Sequence, residues 1–439
     1  MRTRWMALLV LAGLGVAACS NSPSTTTTTA APDDGSDGAT TATVDPNGDY
    51  SENVPVDAPG VTDTEIRVGG VVSATNPLAA SYDDAFLGTK AYFQMINEDY
   101  GGVWGRQLEL VAERDDATTN NAREVEALLT QDDVFAVLPV ATLLFTGADR
   151  LAAEGVPTFG WNVQEEWNGP TNLFGTRGYV CFTCGNSFLP WLAEDIGATR
   201  VASIGYNVPQ SSECAEGNAA GIELSDEVEL VYDDTSLQYG TADFSAPVKA
   251  MKEEDVDLVL TCIDANAAIS LIKEMQRQDF DASVYLPNSY DHTLLEEFPD
   301  QMEGQYVRTD FAPFELSEKP DGLQTYLDWM DELGYPTNEL TVAGWVSADM
   351  FVEGLRGAGP EFSREKVIAH LNGIDSYTAQ GILDGLDWTV EHTDEGDPIC
   401  QIVLQVEDNE FVPLYQDDPG KPWLCENANP TTVEEPFHQ

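Results

Sequence analysis

Four histidines are all this chain offers for acid–base work near neutral pH: His292, His370, His392 and His438. They are scattered, so neither a metal cluster nor a Ser-His-Asp set is indicated. No phosphate loop, Gly-x-Ser-x-Gly elbow or His-Glu-x-x-His motif occurs. Gly69-Gly70 follows a strand-like run but lacks the spacing of a dinucleotide-binding turn. Carboxylates could pair as a glycosidase couple, yet with 76 acidic residues any pair is uninformative. Cys181-x-x-Cys184 has the spacing of a redox motif or half a zinc site. The first needs a helix N-terminus in a thioredoxin-like setting and the second needs another ligand pair, and neither is visible. No catalytic residue, metal or cofactor is therefore assigned, and an enzyme is not expected.

The remaining chemistry of the cysteines is structural. Cys19 belongs to the leader, which leaves Cys181, Cys184, Cys214, Cys262, Cys400 and Cys425. An even number in an exported chain points to disulfides, and six cysteines admit 15 pairings. The preferred set is Cys181–Cys184, Cys214–Cys262 and Cys400–Cys425.

The first residues read as a processing signal. Arg2 and Arg4 precede an apolar stretch, Trp5 to Val16, that is short for a bilayer span. Val16-Ala17-Ala18-Cys19 looks like a bacterial lipobox, which implies cleavage before Cys19 and lipidation of its thiol. Residues 20–60 begin with Ser, Thr, Asp, Pro and Gly, with Thr25 to Thr29 unbroken. Such a tract cannot bury enough apolar surface to offset chain entropy, so a disordered tether is expected. No second apolar run of spanning length follows. The expectation is an exported protein held at the outer face of the cell membrane by its lipid.

The 439 residues carry 76 acidic and 20 basic side chains, a formal net charge of −56. That surface repels nucleic acid and anionic headgroups, so neither is an expected partner. The acidity runs from Asp33 to Glu435. It reads as a solvated surface suited to a salty medium, where counter-ions screen self-repulsion.

Strand-like and helix-like runs alternate from Ile66 onward. Ile66–Val72, Leu108–Ala112, Val134–Val140, Val156–Trp161, Val201–Tyr206, Val228–Tyr232, Leu258–Cys262 and Ser283–Leu286 read as strands. Helical spacing links them over Tyr82–Asn97, Ala122–Leu129, Thr146–Ala153, Ala215–Leu224, Ala246–Glu253 and Ala267–Arg277. The alternation argues for βαβ units and parallel sheets. A break near Gly178 to Cys184 divides it into two similar lobes. Later, Gln305–Arg308 reads as a strand, and Leu323–Leu333, Leu340–Leu355 and Arg364–Leu371 as helices. Cys400–Val406 and Glu410–Leu414 read as a hairpin turning at Asp408-Asn409.

Several stretches carry a resemblance. Gly60 to Gly69, reading GVTDTEIRVG, and Tyr92 to Arg106, reading YFQMINEDYGGVWGR, are among them. Leu108 to Asp116 with Asn121 to Leu129, then Phe135 to Val140 and Ala152 to Phe159, continue it. The chain resembles the leucine/isoleucine/valine-binding family of ABC-transporter solute receptors from Gly60 to about Val390. The resemblance implies an α/β fold of the type I periplasmic-binding-protein kind, with two Rossmann-like lobes joined by a three-strand hinge. It implies lobes at 61–182 plus 309–388 and at 183–308 plus 389–425, with a loose tail at 426–439. A ligand would sit at the carboxyl ends of the strands and be enclosed by lobe closure.

The same resemblance implies a site. Ser81 or Tyr82 would touch the ligand from the loop after the first strand. Ala141 and Thr142 align where the family places serines that bind a carboxylate, so this chain has fewer donors there. Trp161 would supply an apolar wall and Asn162 a donor and an acceptor. Asp264 falls at the corresponding strand end of the second lobe. Asn288 stands where amino-acid receptors hold an ammonium with an acid, and Tyr290 or Asp291 would compensate. Each has a plainer reading: Trp161 as core, Asp264 as a helix N-cap, Asn288 as a turn residue, Tyr290 as an exposed loop ring. The function implied is capture of a small polar organic solute, an amino acid or an amide-like compound, for membrane permease and ATPase subunits. A ligand sensor on the same fold and a secreted hydrolase are the alternatives.

Overall fold

In the computed structural model the described residues are 43–185, 187–393, 399–415, 423–426 and 437–438. Cys19 and residues 20–42 of the expected tether lie outside them. Residues 43–60, also assigned to the tether, instead pack along the first lobe. Tyr50 meets Trp104 edge-on at 5.2 Å, and the Val44 amide donates to Glu353. Arg106, nearly fully buried, donates to the carbonyls of Val54, Thr62 and Trp104. Backbone that satisfies a buried guanidinium is ordered despite its polar composition.

The first sheet contains β1 (Glu65–Val72), β2 (Gln107–Asp115), β3 (Ala136–Ala141), β4 (Thr158–Gly160) and β5 (Leu173–Gly175). Its order is β2-β1-β3-β4-β5, and every pairing is parallel. Every residue of β3 is buried, as an apolar strand covered on both faces requires. The crossovers are α1 (Asp84–Asp99), α2 (Asn121–Thr130) and α3 (Ala148–Ala153).

The chain then enters a second sheet through α4 (Phe188–Ile196). Its strands are β6 (Arg200–Tyr206), β7 (Glu229–Leu237), β8 (Leu258–Cys262), β9 (Ser283–Leu286) and β10 (Tyr306–Thr309). They alternate with α5 (Pro209–Ile222), α6 (Ser245–Glu253), α7 (Ala265–Arg277), α8 (His292–Glu297) and α9 (Pro299–Met302). Next, α10 (Asp321–Leu333), α11 (Glu339–Ala358) and α12 (Arg364–Leu371) return to the first lobe, where α11 packs on α1. The second sheet is completed by β11 (Ile399–Glu407), β12 (Glu410–Pro413), β13 (Leu424–Glu426) and β14 (Phe437–His438).

The parallel strands expected from the alternation are present in both sheets, and β11 adds an antiparallel strand beside β10, so the second sheet is mixed. The expected hairpin is present as β11–β12, with Asp408 and Asn409 both at positive φ. Two boundaries shift. Residues 389–393 were expected in the second lobe, yet His392 and Trp388 pack on Phe174 of β5. Phe437–His438 were expected in a loose tail, yet they pair with Leu424–Cys425. Among the described residues no helix is long and apolar enough to cross a membrane.

Glycine decides one contact in the first lobe. A Cβ on Gly88 of α1 would sit 1.9 Å from the Thr341 carbonyl oxygen of α11, and one on Gly344 would sit 1.9 Å from that of Ala85. The two backbones therefore touch, and the Thr89 hydroxyl donates to the Gly344 carbonyl at 2.9 Å.

Candidate functional site

A cavity of about 700 Å³ opens between the two sheets. Its walls follow the carboxyl ends of the strands: Leu143 after β3, Trp161 after β4, Arg177 after β5, Tyr206 ending β6 and Asp264 after β8. Parallel strands bring their C-terminal ends to one edge, where loops diverge and leave room for a ligand. Two side-chain amides of the second lobe reach across the mouth. Asn266 of α7 donates to the Leu78 carbonyl at 2.9 Å, and Gln210 of α5 to that of Leu143 at 3.1 Å.

Six of the nine residues expected at the site line this cavity: Ser81, Tyr82, Trp161, Asp264, Asn288 and Tyr290. The other three are corrected. Ala141 and Thr142 are fully buried and Asn162 nearly so, and none is in the wall. Asn162 braces the turn after β5: it donates to the Gly178 carbonyl at 2.7 Å and accepts from the Arg177 amide at 3.0 Å. The Thr142 carbonyl accepts from Gln164.

The six that remain differ in what they can do. Tyr82 and Trp161 are 7 % and 8 % exposed, with ring centroids 5.6 Å apart. The Trp161 Nε1–H donates to Glu339 at 2.6 Å. Asp264 does cap α7, accepting from the Ala267 amide at 3.1 Å, while its other oxygen accepts from the Tyr206 hydroxyl. It is both cap and cavity wall. Tyr290, expected at the ligand with an exposed loop ring as its plainer reading, is buried in the cavity wall. Its hydroxyl donates to Glu315 at 2.6 Å and accepts from the Phe314 amide at 2.7 Å. Ser81 and Asn288 are exposed at the cavity edge.

Wall residues were also missed, among them Arg177, Arg308, Asp310, Glu339, Tyr206 and Tyr239. Arg177 pairs with Asp310 at 2.7 Å, and Arg308 reaches the same carboxylate at 3.5 Å. Burial lowers the Arg177 pKa, and Asp310 opposes that shift. Burial raises Glu339, Asp310 adds to this, and the Trp161 N–H and the two arginines oppose it. Tyr206 and Tyr239 meet edge-on at 5.3 Å. The Tyr239 hydroxyl is buried with no hydrogen-bond partner among the described residues. Tyr206 was legible, because it ends a strand that the sequence shows. Glu339 was legible from Asn338 and Thr341, three apart before an apolar run; they form a capping box that aims the start of α11 at the cavity. Arg177 follows a three-residue strand too short to carry a period.

The disulfides are Cys181–Cys184, Cys214–Cys262 and Cys400–Cys425, the pairs preferred from sequence. Each contributes at least one cysteine to the cavity wall. Cys214–Cys262 ties α5 to the end of β8, beside Asp264.

The geometry has close counterparts. A fatty acid ABC transporter substrate-binding protein from Thermomonospora curvata superposes with a TM-score of 0.68 at 18% identity, covering 82% of this chain and 93% of that one. A branched-chain amino acid transporter substrate-binding protein from Streptococcus pneumoniae, in complex with isoleucine, gives 0.66 at 18%, covering 80% and 99%. A solute-binding protein of an ABC transporter from R. palustris, in complex with benzoate, gives 0.64 at 13%, covering 85% and 99%. No curated protein matches the sequence significantly. The sequence pattern of the family described as periplasmic binding protein matches residues 65–395. That span holds all ten strands from β1 to β10 and the helices that return to the first lobe, so this chain belongs to the periplasmic binding protein family.

Proposed function

We propose that this chain is the extracytoplasmic receptor of an ABC importer, capturing a small organic solute between its lobes and releasing it unaltered. The observation that carries the reading is the cavity of about 700 Å³, walled from both sheets at the carboxyl ends of their strands. A cleft of this size suits a small-molecule ligand. The relatives support the class of activity, since they include receptors for a fatty acid, isoleucine and benzoate. Their variety leaves the solute to be argued from this chain's own walls. The closed lobes form the surface that permease and ATPase subunits would recognise.

A thermal-shift screen over amino acids, amides, urea-like compounds, organic amines and short carboxylic acids tests the reading, because a ligand bound only by the folded state raises stability by mass action. A dose-dependent rise with at least one class is expected. A flat response to all classes contradicts the reading. The proposed anchor is tested separately. Cys19→Ser is expected to release the protein from the membrane fraction, and undiminished membrane association contradicts lipidation at that position.

A further inference from the structure

Two aromatic pairs line the cleft, one from each lobe. Tyr82 and Trp161 belong to the first lobe, and Tyr206 and Tyr239 to the second. Each pair has a carboxylate bonded to it. Glu339 accepts from the Trp161 Nε1–H at 2.6 Å, and Asp264 accepts from the Tyr206 hydroxyl. The pairs converge on one space. All four rings and both carboxylates line the same cavity, and the charges of Tyr239, Asp264 and Glu339 add to the burial that raises the Tyr82 pKa. The Tyr239 hydroxyl, buried without a partner among the described residues, lies in the same wall.

Ring faces carry negative potential, and a cation stacked on them in a desolvated site is attracted electrostatically. Carboxylates behind the rings strengthen that field, and low local dielectric prevents its screening. The cationic side chains that could hold an anionic group are engaged, and the family's carboxylate-binding positions lie elsewhere. Arg177 and Arg308 both face Asp310, and Ala141 and Thr142 are buried outside the wall. Carboxylates outnumber guanidiniums around the cleft, but they do so in the entire chain, so the ratio carries no weight. Their placement against four rings does.

Resting on the receptor reading, we propose that the solute is a small organic cation, an ammonium on an apolar body without a carboxylate, boxed by Tyr82, Trp161, Tyr206 and Tyr239 between Asp264 and Glu339. Closure of the lobes would complete the box, because neither lobe supplies more than half of it.

Isothermal titration of the exported protein with matched probes tests this. Phenethylamine is compared with 2-phenylethanol, and choline with its neutral carbon twin 3,3-dimethylbutan-1-ol. Isoleucine and benzoate supply a zwitterion and an anion. At least one ammonium is expected to bind about tenfold or more tightly than its neutral twin. Asp264→Asn keeps a good helix cap. It is expected to weaken binding of the ammonium far more than binding of the neutral twin, removing most of that preference. Equal binding of a cation and its twin overturns the proposal, as does tighter binding of isoleucine or benzoate, or no binding of either ammonium. In those cases the receptor reading stands so long as any solute class in the wider screen binds, and falls with the proposal if none does.

Discussion

His392 shows how one buried side chain links fold to solution behaviour. Its ring lies against Phe174 and Trp388, and its Nε2 pairs with the Asn372 side-chain oxygen at 2.7 Å. Burial lowers its pKa from 6.5 to about 4. Between those values the unfolded chain binds a proton that the folded chain refuses. Stability therefore falls as pH drops through that window and is unaffected by this group above it. At about 1.4 kcal/mol per unit, the loss between pH 6.5 and 5 is on the order of 2 kcal/mol. His392→Gln keeps a side chain able to pair with Asn372 but cannot titrate. Urea unfolding at pH 7 and pH 5 is expected to show a smaller acid loss in the variant by about that amount. Identical losses contradict the assignment. Residue identity in the sequence did not announce this role, because packing on Phe174 depends on where residues 389–393 return. Trp161 and Asp264 were legible for the opposite reason: they lie one and two residues past a strand, and strand ends define the cleft. Tyr290 lies in the loop after β9, where Glu315 accepts from its hydroxyl, a contact that no local pattern encodes.

Elements with a strong period were legible, and those without one were not. The alternation of β1 through β4 and of β6 through β9 with intervening helices could be read because apolar positions repeat along each. β5 has three residues and shows no period, while α4 begins directly after the Cys181–Cys184 turn. α5 starts at Pro209, six residues before the expected onset at Ala215, because proline suits a first helical turn while the helix has little apolar periodicity there. The antiparallel entry of β11 is a tertiary event, set by the chain's last return. The α1–α11 contact gives the sharpest test at this scale. Gly344→Ala places a methyl group against the Ala85 carbonyl. It is expected to cost about 3 kcal/mol or more, since overpacking forces the backbones apart. A shift in the urea midpoint of the purified variant measures it. An unchanged midpoint contradicts the close approach of these helices.

For the whole molecule, two sheets and a cleft follow from ordinary rules: parallel strands, crossover helices and ligand space at strand ends. The net charge of −56 decides none of this, but it disfavours polyanionic partners and favours the approach of cations. Side-chain amides from the second lobe bond to carbonyls of the first at the mouth, so closure has direct contacts of its own to gain. A solute that binds between the lobes adds to those contacts and shifts the population further toward the closed form. Small-angle X-ray scattering of the purified protein, alone and saturated with a solute found by thermal shift, measures that shift directly. The account predicts a smaller radius of gyration in the saturated sample. Superimposable scattering curves for the two samples would contradict it.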